Sequence, residues 1–195
     1  ANRAHYAEIG GKTPGSMPPD ARCLAEEGIV IPPTLYSEIS DGFFAESRMP
    51  SDNEADLAAQ VSANQFGVKA MQKLALLGDI SGYMNALYKR SAAILHQSLA
   101  GLEKCSAEDL LDDGSAIKVA ISSGEKLTFD FRGSASTHPG NLNATPAIVR
   151  SAVLYALRLW VKEDLPLNEG LLESVDIITE EGILNPPLTS DPRSC

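Results

Sequence analysis

With 195 residues and 44% hydrophobic content, the chain is long enough for one sizeable core or two small ones, and its 22% charged residues exclude disorder as the default state. A formal charge of -10 opposes nucleic acid or an anionic membrane surface as the main partner, since both repel an acidic chain. No apolar run reaches membrane-spanning length, and Cys23, Cys105 and Cys195 are widely spaced without a CxxC pair, as fits a reducing cytosol; a cytoplasmic location is expected.

Residues 1–50 hold many of the prolines and glycines, and the apolar run Ile29-Val30-Ile31 is bounded by Pro32-Pro33. This predicts a loop-rich segment with brief strands around a site. Pro50-Ser51-Asp52-Asn53-Glu54 then gives a helix start, with Ser51 and Glu54 at capping-box spacing. Leu57, Val61, Val68 and Met71 form one apolar stripe running to about Leu77, where Gly78 ends it. Asn64 falls in the same rhythm, so its amide is expected to be at least partly buried, while Asp56, Gln60 and Asn64 make a polar line beside the stripe.

A second helical pattern starts near Ser81 and carries Met84, Leu87, Tyr88, Leu95, Leu99 and Leu102, which predicts a long helical hairpin over 51–104. From Ala116 the period switches to two. Ile117, Val119 and Ile121, a Ser122–Glu125 turn, then Leu127, Phe129 and Phe131 read as a β-hairpin with one buried face. Thr145 as N-cap and Pro146 at the first position start a third helix to Trp160, whose broad apolar stripe predicts burial, and Val175-Asp176-Ile177-Ile178 reads as a strand. The class is α+β, with 105–195 as its mixed portion.

The chemistry concentrates at the start, where His5 and Glu8 stand three residues apart ahead of Gly10-Gly11. Imidazole and carboxylate suit a borderline or hard metal. In a regular strand these two would face opposite sides, so a shared ligand requires an irregular backbone, which the glycine pair favours. Glu27 can supply a further carboxylate; His138, in a Thr-His-Pro-Gly loop, is a weaker substrate contact, and His96 lies on a helix as a surface or packing residue. Asp112-Asp113-Gly114 reads as a turn, since it lacks the alternating acids of a calcium loop. No Walker A, GxGxxG or GxSxG sequence occurs, so no nucleotide cradle or nucleophilic serine is placed by motif.

The opening from His5 through Ile9-Gly10-Gly11 to Pro14-Gly15-Ser16-Met17-Pro18-Pro19 resembles the hydantoinase B / 5-oxoprolinase family, and the resemblance continues in order. It runs through Glu26-Glu27-Gly28, Asp56-Leu57, Asp112-Asp113-Gly114-Ser115, Phe129-Asp130-Phe131, Gly140-Asn141-Leu142-Asn143-Ala144 and Leu165-Pro166-Leu167-Asn168. Tyr6 stands where the family usually has a second His, and Glu8 where it usually has Asp. The resemblance implies the hydantoinase B-type part of an ATP-dependent cyclic amide hydrolase acting on 5-oxoproline or a hydantoin. A hydantoinase A-type partner would hold ATP and phosphorylate the ring's amide oxygen. It further implies a divalent metal (Zn, Mn or Mg) on His5, Glu8 and Glu27, water handling by Glu8 and Glu27, substrate binding by Gly10, Gly11, Asn141 and Asn143, and an oligomer. Because the family's chains are longer, an internal portion of a larger subunit is expected. The alternatives are the B-type subunit of an acetone or acetophenone carboxylase, and a shortened assembly module without catalysis.

Overall fold

The computed structural model describes residues 2, 6, 8–15, 18, 20–22, 24–99, 102–140, 142–161, 163–164 and 168–187. They form two compact units: the first runs to Gly78 and takes in Pro139 and Gly140, and the second begins at Asp79. Three main helices and a four-stranded mixed sheet make the α+β class expected from the sequence. No helix among the described residues is long and apolar enough to cross a membrane.

The first unit holds a short helix α1 (Leu24–Glu27), a 3-10 turn at Tyr36–Glu38 and the long helix α2 (Pro50–Ala75). Pro50 starts α2 at its first position, because its fixed φ is already helical and its missing N–H is not needed there. That start puts Ser51 inside the first turn. The expected capping box therefore does not form: Met49 is the N-cap without a side-chain hydrogen bond, and the Ser51 hydroxyl meets Asp52 instead. The N-terminal end of α2 is fixed by Asn53, 1% exposed, whose amide donates to the Glu8 carbonyl at 3.1 Å and to Ser47 Oγ at 2.8 Å. Asn64, by contrast, is exposed, because the first unit supplies no described neighbour to cover that part of the stripe.

In the second unit α3 (Ile80–Ser98) is capped by Asp79, whose carboxylate accepts the Gly82 N–H at 2.9 Å. The sheet runs β1 (Cys105–Leu110), β2 (Ala116–Ser123), β3 (Leu127–Asp130) and β4 (Val175–Ile178), in that spatial order. Neighbours pair antiparallel except β3 with β4, which pair parallel across the connection made by α4 (Pro146–Trp160). The Asp112–Gly114 stretch is the turn between β1 and β2, with Gly114 at φ 86° and the Leu111 N–H on the Ser115 carbonyl. Val149, Val153 and Leu157 of α4 are buried, and the last two share a core with Leu95, Leu127, Phe129 and Leu171. The opposite face of α4 carries Ile148, Tyr155 and Leu159, all exposed, so the broad stripe is buried on one side only. Beneath α3, a 3-10 turn at Glu169–Leu172 docks closely enough that a Cβ on Gly170 would meet the Tyr88 carbonyl at 2.2 Å. Asn168 secures it by accepting the Gly170 N–H and donating to Ser91 Oγ at 3.0 Å, which gives the Asn168-x-Gly170 motif a structural role.

Candidate functional site

The glycine pair of the opening and the Glu26-Glu27-Gly28 motif meet in the first unit. Ile29 N–H donates to the Ile9 carbonyl at 3.0 Å and Lys12 N–H to the Glu26 carbonyl at 2.8 Å, so residues 9–12 and 26–29 lie side by side. Gly10, Gly11 and Gly28 have φ of 102°, 85° and 132°, a region that L side chains avoid. Space demands glycine as well: a Cβ on Gly11 would lie 2.6 Å from the Glu26 and Glu27 carbonyl oxygens, and one on Gly28 would lie 2.7 Å from the Ile9 carbonyl. His5, whose offset from Glu8 raised the expectation of an irregular backbone, lies outside the described residues.

The entry to α2 closes around the same segment. Arg48 Nη2 donates to the Gly11 carbonyl at 2.7 Å and Arg48 Nε approaches Glu8 Oε2 at 3.0 Å, while the Glu8 carbonyl accepts the amides of Met49 and Asn53. One guanidinium thus ties the Glu8 side chain to the backbone of the glycine pair. The Nε approach is an ion contact without hydrogen-bond alignment, since Glu8 Oε2 has no hydrogen-bond partner among the described residues. Glu27 Oε1 is in the same condition, and burial pushes the Glu27 carboxyl above the usual carboxylate range. Buried polar atoms are nearly always hydrogen-bonded, whereas Glu27 Oε1 has no hydrogen-bond partner among the described residues and Glu8 Oε2 has only the ion contact with Arg48. Carboxylate oxygens also fit a divalent cation. No group of three His, Cys, Asp or Glu side chains able to hold a metal occurs among the described residues; His5 lies outside them.

Of the other expected site residues, Asn143 belongs to the second unit. Tyr6 is occupied elsewhere, with its ring 5.5 Å from that of Phe44 and its hydroxyl accepting from Gln60, which gives the polar line of α2 one supporting contact. Asn141 lies outside the described residues. In the second unit Asn143 accepts the His138 N–H at 2.8 Å and returns its amide to the His138 carbonyl at 3.1 Å, clamping its own loop. His138 Nε2 stands 2.9 Å from Asp113 Oδ2, and hydrogen bonds from Ser115, with His138 beside it, hold the Asp113 carboxyl below its ordinary value. Arg48 and Asn53 were not singled out from sequence. No motif marks either, because the contacts that tie them to the glycine segment, Arg48 to the Gly11 carbonyl and Asn53 to the Glu8 carbonyl, reach 37 and 45 residues back along the chain.

The hydantoinase B/oxoprolinase family profile matches residues 1–194. The 5-oxoprolinase of Saccharomyces cerevisiae is 39% identical over 96% of the chain, and that of Dictyostelium discoideum is 35% identical over 97%. The chain spans 17% of the length of each of these relatives. Among solved structures, the ATP-dependent caprolactamase from Pseudomonas jessenii superposes with a TM-score of 0.80 at 21% identity, covering 93% of this chain and 35% of that one. The motif order, the glycine-built crossing and these matches together make the chain a member of the hydantoinase B/oxoprolinase family.

Proposed function

We propose that the chain is the hydantoinase B-type portion of an ATP-dependent cyclic amide hydrolase, acting on a lactam ring activated at a hydantoinase A-type partner. The relatives' names support the substrate class, since 5-oxoproline and caprolactam are both cyclic amides. The observation that supports the site is two buried carboxylate oxygens without a hydrogen bond among the described residues, Glu27 Oε1 and the Arg48-contacted Glu8 Oε2, on segments that meet at the glycine crossing.

An amide carbonyl resists water, and phosphorylation of its oxygen gives a ring carbon that a base-activated water can attack; breaking the C–N bond then leaves an acyl phosphate, which a second water converts to carboxylate and inorganic phosphate. Glu8, held by Arg48 against the glycine backbone, is the base that takes the water's proton. Glu27 is the second carboxylate of the water-handling pair, and burial raises its proton affinity, which suits it to pass a proton toward the departing ring nitrogen during turnover. Gly10 and Gly11 let the backbone carrying Glu8 pass close beside that carrying Glu27. With His5, the two carboxylates would hold a divalent metal, which when bound supplies Lewis acidity toward water.

Titration of Mn²⁺ or Zn²⁺ into the chain by calorimetry tests the donor set. A single site is expected, lost in Glu8→Gln and in Glu27→Gln. Ring opening of 5-oxoproline by the chain with ATP and an A-type partner should fall by about 100-fold or more in the same variants. Undiminished turnover in both variants would remove these residues from the chemistry.

A further inference from the structure

Arg48 is anchored at the glycine crossing, yet most of its donors are not engaged. Arginine carries five N–H groups in a planar fork. One of them, on Nη2, donates to the Gly11 carbonyl at 2.7 Å, and Nε faces Glu8 Oε2 at 3.0 Å without hydrogen-bond alignment. Nη1 and the second Nη2 hydrogen have no partner among the described residues, and the side chain is 37% exposed, open to a ligand. Lys12, the cation that follows the glycine pair, is fully engaged. Its three ammonium hydrogens meet the Asp20 carbonyl at 3.1 Å, the Asp20 carboxylate at 3.0 Å and the Glu26 carboxylate at 3.5 Å.

We propose that Arg48 holds the phosphoryl group of the activated ring. The assignment rests on the proposed function, in which an O-phosphorylated lactam meets water activated by Glu8. There the phosphorus is joined to the carbon under attack through one bridging oxygen, so the water and the phosphoryl group adjoin the same atom. The cation that answers the phosphate therefore has to stand beside Glu8, as Arg48 does. Charge makes such a cation necessary. A phosphate ester carries a charge of about -1.5 to -2 at neutral pH. The chain itself has a formal charge of -10 and brings the segments of Glu8 and Glu27 side by side, so an unanswered phosphate would be repelled. A guanidinium serves better than an ammonium, because its fork offers parallel N–H groups to two phosphate oxygens, and Nη1 and Nη2 of Arg48 each keep a hydrogen for this. The Gly11 carbonyl orders the fork before the ligand arrives. When the C–N bond breaks, the phosphoryl group stays on the same carbon as the acyl phosphate, so one contact serves both water attacks.

Calorimetric titration of the chain with inorganic phosphate, in buffer with chelator so that no metal takes the anion, should show one weak site. Its affinity should fall at least about tenfold in Arg48→Gln, and by less in Arg48→Lys, which keeps the charge without the fork. Arg22→Gln removes the same charge from an exposed position and should leave the affinity unchanged, while Glu8→Gln, by removing a like charge, should tighten it. With ATP and an A-type partner, Arg48→Gln should yield less glutamate per ADP, because an activated ring that is not held is lost to water attacking phosphorus, which returns lactam and inorganic phosphate. Phosphate affinity unchanged in whichever Arg48 variant thermal melts show to be folded would overturn the proposal. So would an equal loss in Arg22→Gln, or a weakening in Glu8→Gln. A site lost in Arg48→Gln with glutamate per ADP unchanged would be an adventitious anion site only, and would overturn it as well. The carboxylate chemistry fails separately: undiminished turnover in Glu8→Gln and Glu27→Gln would remove it and leave the dependence of phosphate affinity on Arg48 standing.

Discussion

Gly11 and Gly15 have nearly the same backbone, φ 85° and 87°, but different surroundings: backbone crowds Gly11, and nothing lies within 4 Å of Gly15. Gly15→Ala therefore carries only the left-handed penalty of about 1–2 kcal/mol, while Gly11→Ala adds an overlap with main chain that cannot swing away, about 1–3 kcal/mol more. Denaturant unfolding of both variants measures the difference. Equal destabilisation would mean that the crossing of residues 9–12 with 26–29 is looser than its contacts indicate. Glu27 lends itself to a titration. Its folded pKa is raised by burial, so the folded state binds this proton more tightly than the unfolded chain. The corresponding stability is fully present below the ordinary carboxylate value and is lost as pH rises through the raised one. In buffer with chelator, Glu27→Gln should accordingly be stabilising at pH 7 and neutral below about pH 4. Thermal melts at the two pH values check it, and stabilisation confined to low pH would reverse the assigned cause.

Elements with one strong period were legible in the sequence. Val175–Ile178, the hairpin of β2 and β3, and the start of α4 at Pro146 lie where alternation and Pro at the first helical turn predict them. β1 was not, because Cys-Ser-Ala-Glu-Asp-Leu has no apolar alternation and the strand is exposed along its whole length; pairing with β2, not burial, makes it a strand. The capping box failed for a local reason, a proline one residue ahead of the serine. The stripe of α4 reads as uniformly apolar, yet its two faces have different fates, which gives a stability contrast. Leu157, 3% exposed on the inner face, should cost about 2–5 kcal/mol when changed to Ala, whereas Ile148→Ala on the outer face, 55% exposed, should change stability by less than about 0.5 kcal/mol. Chemical denaturation of both variants separates them. A large loss at Ile148 would mean that the outer face of α4 is covered in solution.

At the scale of the whole molecule, site recognition came from motif order, while its geometry did not. The sequence pointed to Glu8, Gly10, Gly11 and Glu27, but only the fold sets the two motifs side by side and brings Arg48 onto Glu8. The distribution of function also follows from proportion. The chain spans 17% of the 5-oxoprolinases it matches and carries no Walker A sequence, while the proposed chemistry needs ATP to activate the ring before water attacks. Taken alone, the chain should therefore show no ATP-dependent opening of 5-oxoproline, because an unactivated lactam leaves its carboxylates facing a carbonyl that water attacks too slowly. Glutamate formation and ADP release, followed together with the chain as sole protein, provide the measurement. Both should stay at the level of the protein-free control. Stoichiometric release of glutamate and ADP would mean that ATP binding and ring activation reside within these 195 residues, and the division of labour between A-type and B-type parts would have to be abandoned.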